Sequence, residues 1–129
     1  MKKIYVKKGK SIFMEGAPGE CAYIIESGSV EISKTRANGQ KISLGTLYEK
    51  DIFGELGLID GLPRTATVTA VEDCTVSILT QEAFNSLARR NPQSLIPILK
   101  ILANRLRSAL TVVETLNKTA PKPIPQDQL

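Results

Sequence analysis

FGELGLIDGLPRTATVTA, residues 53–70, holds three glycines, a proline and, nine positions apart, Glu55 and Arg64 in a stretch that is otherwise largely apolar. Read as one strand it fails, because Gly54, Gly57 and Gly61 would weaken it and Pro63 would remove a ladder donor. It reads instead as strand, loop, strand. Phe53 to Ile59 resembles a short helical turn, and free backbone N–H groups around Gly54 to Gly57 suit an anion, with glycines letting a ligand approach the main chain closely. Arg64 follows Pro63 where the chain re-enters a strand, which places its guanidinium over the same cradle. A planar guanidinium with backbone donors suits a phosphate. A carboxylate beside it suits vicinal hydroxyls, as where an acid accepts a ribose 2′-OH. Glu55 and Arg64 together therefore point to a ribose phosphate.

Upstream, the chain reads as β structure. Cys21–Ile25, Val30–Ser33, Ile42–Leu44, Ala66–Ala70 and Thr75–Leu79 are rich in β-branched residues, and several alternate apolar with polar. Turn signals separate them at 15–19, 27–29, 38–39 and 72–73, the pattern of a sandwich or barrel. Asn38-Gly39 is the sharpest hairpin signal, since both residues tolerate positive φ. Downstream the period changes. Gln81–Arg90 reads as a helix capped by Thr80, and Asn91-Pro92 restarts it with Asn91 as cap and Pro92 in the first turn. Leu95, Leu99, Leu102, Leu106, Ala109, Val113 and Leu116 then recur at steps of four and three, a heptad seam. Pro97 calls for a kink or an irregular first turn. Residues 118–129 alternate proline with polar residues and read as a flexible tail.

Composition narrows the function. The 129 residues fit one domain, and 42% hydrophobic with 23% charged residues is an ordinary globular balance. The chain has no histidine, which excludes Ser-His-Asp triads, Cys-His pairs and His-rich metal centres in their usual forms. No metal site and no enzyme is expected. Cys21 and Cys74 lack metal spacing and read as buried free thiols. Lys2, Lys3, Lys7, Lys8 and Lys10 supply much of the +4 net charge and read as a solvated basic edge rather than a nucleic-acid or lipid site. The longest apolar runs are far short of a membrane span, so the expected location is the cytoplasm.

Phe53-Gly54-Glu55-Leu56-Gly57-Leu58 followed by Pro63-Arg64-Thr65-Ala66-Thr67-Val68 closely resembles the phosphate-binding cassette of cyclic nucleotide-binding domains. That family includes the regulatory subunits of cyclic-AMP-dependent protein kinase, the bacterial catabolite activator protein and cyclic-nucleotide-gated channels. The likeness extends upstream through 12–16 and 19–30 and covers roughly residues 8–116. It implies a mainly β fold with C-terminal helices: a β jelly-roll barrel over about 1–80, then a short helix and a long lid helix over about 81–117. It implies that Glu55 binds the ribose 2′-OH and Arg64 the cyclic phosphate. Backbone donors around Gly54, Leu56 and Gly57 would support the sugar and phosphate, with Phe53 in the same ligand-binding stretch and Thr65 and Ala66 contributing nearby. Thr65 carries a hydroxyl that serves cyclic GMP in some members, while bacterial cyclic-AMP receptors carry a hydroxyl there too. Cyclic AMP is the expected ligand, with cyclic GMP accepted. Arg105 and Ala109 fall near the positions that contact the base, although Arg105 is equally read as a solvated helix residue.

The resemblance leads to a stand-alone receptor domain that signals through its C-terminal helix to an unidentified protein effector, with a homodimer formed through that helix. No DNA-binding motif and no membrane segment is visible. The alternatives are an interaction module with a degenerate, non-binding cassette and a regulatory domain excised from a larger channel or transcription regulator.

Overall fold

The computed structural model describes residues 1–116 and Asp127; the remainder of the proline-rich segment 118–129 lies outside the described residues. The chain divides into two compact units, Met1–Ser86 and Leu87–Leu129.

The first unit is built from eight strands and a short helix: β1 (Lys3–Val6), β2 (Ser11–Phe13), β3 (Ala22–Ser27), β4 (Val30–Thr35), β5 (Lys41–Leu47), β6 (Ile52–Phe53), α1 (Glu55–Asp60), β7 (Thr67–Ala70) and β8 (Cys74–Leu79). They form two four-stranded sheets, ordered β1-β8-β3-β6 and β2-β7-β4-β5, with antiparallel pairing throughout. This is the expected jelly-roll arrangement of antiparallel sheets, although no strand pairing joins the two sheets into a closed barrel among the described residues. The five strands expected from alternation all form, within a few residues of their sequence boundaries.

The core lies between the sheets. Ile25, Val30, Phe53, Val68, Ala70, Cys74 and Val76 pack together, with Phe13, Tyr23, Ile32 and Leu47 against them. Each fully buried Ile or Val contributes about 1.5–3 kcal/mol relative to exposure. β8 shows why alternation alone understates burial. It lies between β1 and β3, and not only Cys74 and Val76 but also Ser77 is buried, its hydroxyl donating to Glu26 Oε1 at 2.6 Å.

The Asn38-Gly39 hairpin forms between β4 and β5, but with a different turn from the one that positive φ at both residues would give. Only Gly39 is left-handed, at φ 86°. Its N–H donates to Arg36 O at 2.8 Å, Arg36 N–H donates to Gln40 O at 2.8 Å, and Asn38 Oδ1 accepts from Gln40 N–H at 2.9 Å. This is a three-residue loop closing on a left-handed glycine.

Gly28, between β3 and β4, is fixed twice over. Its φ is 92°, and a Cβ there would lie 2.6 Å from Asp73 O and 2.7 Å from Cys74 Sγ. Gly28→Ala should therefore cost about 1–3 kcal/mol from backbone conformation alone, with overpacking added. Urea denaturation should show a lower midpoint at unchanged slope; an unchanged midpoint would contradict this reading of the turn.

α2 (Gln81–Arg90) begins in the first unit, capped as expected: Thr80 Oγ1 accepts from Ala83 N–H at 3.1 Å. In the second unit, Asn91 precedes a 3-10 turn, Pro92–Leu95, and then α3, Ile96–Leu116. Asn91 occupies the cap position but makes no side-chain cap bond; its carbonyl instead accepts from Ser94 N–H and Ser94 Oγ, at 3.0 and 2.7 Å. The break before Ile96 leaves Pro97 in the first turn of α3, where its missing N–H has no helical partner to lose. Along the seam, Leu95 and Leu102 are half-buried, whereas Leu99, Leu106, Ala109, Val113 and Leu116 are exposed.

Candidate functional site

The site is made by the chain between β6 and β7. At the end of β6, Gly54 turns with φ 79° into α1, and Gly61 ends α1 with φ 68°, its N–H donating to Gly57 O at 2.9 Å. Asp60 Oδ1 accepts from Leu62 N–H at 2.9 Å and steers the chain out of the helix. The main chain of Arg64 is then clipped to the loop between β2 and β3: its N–H donates to Ala17 O at 2.9 Å, and its carbonyl accepts from Gly16 N–H at 2.8 Å. Both anchors fix where the arginine side chain starts.

That side chain turns inward. Arg64 is only 6% exposed. Nη1 donates to Gly54 O at 3.0 Å and Nη2 to Cys21 O at 2.8 Å, and Cζ lies 4.3 Å from the centroid of the Phe13 ring, within cation–π range. Phe13, Tyr23 and Phe53 form one aromatic group, with Tyr23 stacked on Phe53 at 5.2 Å. Burial pushes the Tyr23 hydroxyl up to about 12, helped by the Cys21 thiol that donates to it at 3.4 Å and opposed by the Arg64 charge.

Space around the guanidinium is set by glycines. A Cβ on Gly19 would lie 2.5 Å from Arg64 Nε and Nη2, one on Gly54 2.9 Å from Nη1, and one on Gly57 3.0 Å from Nη1 and 2.5 Å from Gly19 O. Any side chain at these positions would occupy the volume in which the guanidinium lies. Arg64 Nε is buried without a hydrogen-bond partner. Burying a cation is expensive unless it is paired, and an unsatisfied buried donor carries its own desolvation penalty. Nε is therefore a donor with unmet capacity, flanked by two further N–H groups of the same fork, a donor set suited to two oxygens of one anion. Glu55, in the first turn of α1, is likewise buried, at 6% exposure.

The other expected site residues are distributed as follows. Gly54 and Gly57 are brought against Arg64. Leu56 is 45% exposed, whereas Phe53 is 2% exposed and belongs to the core. Thr65 is exposed and its carbonyl accepts from Lys34 Nζ at 2.9 Å, while Ala66 is buried. Arg105, half-buried, and Ala109, exposed, lie one turn apart on α3 of the second unit. Of the two cysteines, Cys74 is buried as expected and burial raises its thiol above the usual range; Cys21, expected buried, is only half-buried, because it precedes β3, beside the Arg64 guanidinium, rather than lying inside a strand.

Phe13, Gly19, Cys21 and Tyr23 were not legible as site residues. They come from the first half of the chain, and nothing in their local pattern separates them from core and turn positions. The signal available was indirect: a buried arginine needs neighbours, and aromatic faces and backbone carbonyls are what such a core has to offer.

Among the described residues no cluster of three or more cysteines or carboxylates is placed to hold a metal ion, and no helix is long and apolar enough to cross a membrane. Residues 3–91 match the model of the cyclic nucleotide-binding domain. The cyclic AMP receptor protein of Thermus thermophilus is 37% identical over 102 residues, covering 79% of this chain and 47% of that protein. The crystal structure of Thermus thermophilus catabolite activator protein superposes with a TM-score of 0.84 at 34% identity, over 90% of this chain and 55% of that one. The EAL enzyme Bd1971 matches in its cAMP-bound and cGMP-bound forms, each with a TM-score of 0.67, at 37% and 35% identity, over 91% of this chain and 32% of that enzyme. The chain thus spans about half or less of the length of these relatives.

Proposed function

Because the chain belongs to the cyclic nucleotide-binding domain family, we propose that it is a receptor domain for cyclic AMP, accepting cyclic GMP, rather than a catalyst. The observation that carries this reading is Arg64: a buried guanidinium in a cradle of three glycines, with Nε unpartnered. In this reading the guanidinium pairs with the two exocyclic oxygens of the cyclic phosphate, and Glu55 accepts the ribose 2′-OH. Backbone N–H groups around Gly54, Leu56 and Gly57 line the sugar and phosphate, Thr65 and Ala66 flank the phosphate, and the family resemblance assigns base contacts to Arg105 and Ala109. The exposure of Thr65 agrees with a hydroxyl available to either purine, and a relative solved with both nucleotides supports the same breadth.

A ligand that binds only the folded state raises stability by about 2.7 kcal/mol at one hundred times its Kd. Cyclic AMP should therefore raise Tm with concentration, while 5′-AMP, which lacks the ring the cradle encloses, should raise it far less. Equal shifts would mean a general anion site.

We read the output as passing through α3 to a protein effector, with α3 also pairing with a second copy. The exposed residues Leu99, Leu106, Val113 and Leu116 repeat at heptad spacing, which supports pairing of α3 with a second copy, in the parallel arrangement that the family resemblance suggests. A pyrene-type label at position 106 tests both parts. A parallel dimer brings two labels together and gives excimer emission, and a nucleotide that favours one helix position over another changes it. A monomer-like spectrum insensitive to nucleotide would remove the dimer and the helix response together.

A further inference from the structure

The anion pocket holds one group that the receptor reading does not use. Cys21 is half-buried, and its Sγ lies 3.8 Å from Arg64 Nη2, the same nitrogen that donates to the Cys21 carbonyl at 2.8 Å. On its other side the thiol meets the Tyr23 hydroxyl at 3.4 Å. Cys74 provides the contrast within one chain. It is buried, and its thiol is occupied by the carbonyls of Ser29 and Glu72, each at 3.1 Å. A partly exposed thiol against a guanidinium is the surrounding in which cysteines oxidise selectively, whereas a sealed thiol is inert. The independent indication that this place takes an anion is Arg64 itself, 94% buried by its 6% exposure and with Nε unsatisfied.

We propose that Cys21 is an oxidation site built into the anion pocket: a hydroperoxide converts its thiol to an oxyacid held by Arg64, which withdraws the guanidinium from the cyclic phosphate. Sulfur attacks one oxygen of the hydroperoxide; the S–O bond forms as the O–O bond breaks, giving Cys–SOH and an alcohol or water, with the thiol proton passing to the leaving oxygen. Sulfur gives up two electrons and the peroxide takes them. A second hydroperoxide carries Cys–SOH to Cys–SO2H in the same way, and this acid is ionised at neutral pH. An oxygen added to Sγ brings a negative atom into charge-assisted hydrogen-bond range of Nη2. The first step is reversed by a thiol reductant and the second is not.

The second half of this inference rests on the receptor reading, and the test separates the two. The reduced protein is treated with hydrogen peroxide and both cysteine peptides are followed by mass spectrometry. Cys21 should oxidise at least about tenfold faster than Cys74, and Arg64→Gln should slow Cys21. Equal rates at the two thiols, or a Cys21 rate that ignores Arg64 in a folded variant, would overturn the proposal. Treated and untreated protein are then titrated with cyclic AMP. Oxidised wild type should bind about thirty-fold or more weakly, the loss expected for a charge pair deprived of one partner. Cys21→Ser, whatever its own starting affinity, should show no change on treatment, which also accounts for oxidation of the exposed Met1 and Met14. Unchanged binding by protein oxidised at Cys21 would overturn the block. Reduced wild type that binds no nucleotide would count against the receptor reading instead, and the oxidation rates would still decide the role of Cys21.

Discussion

Arg64→Ala should lower affinity for cyclic AMP by about thirty-fold or more, a loss of about 2–5 kcal/mol, because it strips one partner from a buried charge-assisted contact. The geometry makes the estimate specific. Arg64 is fixed at both ends, by main-chain bonds to Gly16 and Ala17 and by side-chain bonds to Gly54 O and Cys21 O, so its charge and its planar fork are held in one place. Arg64→Lys should lose nearly as much, since an ammonium keeps the charge but not the planar fork. Glu55→Ala should cost less than Arg64→Ala, because a hydroxyl contact involves no opposite charge. Circular dichroism melts of each variant, run beside the titrations, separate lost binding from lost fold. An Arg64→Ala protein that is folded and binds like wild type would mean that the anion lies elsewhere.

The second large effect is on stability. Phe53 is 2% exposed, stacks on Tyr23 and lies 5.9 Å from Phe13, so Phe53→Ala removes the ring that backs the two aromatic side chains on which the guanidinium lies, as well as core volume. Buried Phe→Ala changes cost about 3–5 kcal/mol. For a domain of this size that is a large share of a total of about 5–15 kcal/mol. Chemical denaturation should show the loss in full, and cyclic AMP at saturation should restore part of it by mass action. A loss below about 1 kcal/mol would mean that the aromatic group packs loosely and that the pocket does not depend on it.

These two residues also show what a sequence can disclose. Arg64 and Glu55 stood out because charge is unexpected among glycines and apolar residues, and that anomaly led to the site. Phe53 was noticed for its place in the cassette, yet its side chain belongs to the core, a distinction that requires knowing which face of β6 is covered. The strands with clear alternation were legible. β6, only two residues long, shows no alternation of its own and was marked only as the opening strand of the strand, loop, strand reading of 53–70. β1 and β2 were apparent only through the resemblance and the general strand-like character of the first residues. Asn38-Gly39 announced a hairpin correctly and its turn type incorrectly, since Gly39 alone supplies the left-handed residue and Asn38 serves with its side chain. The neighbours of Arg64 were the least legible part. Gly19 and Cys21 lie more than forty positions away along the chain, and only the pairing of the sheets brings them to the guanidinium.

Calorimetric titration of nucleotide-stripped protein with cyclic AMP and, separately, cyclic GMP tests the central claim most directly. The account predicts saturable heat with micromolar or tighter affinity for at least one nucleotide, with cyclic AMP preferred. No heat with either, together with an unchanged Tm at high nucleotide, would contradict it and leave Arg64 and Glu55 as buried charges kept for the fold alone.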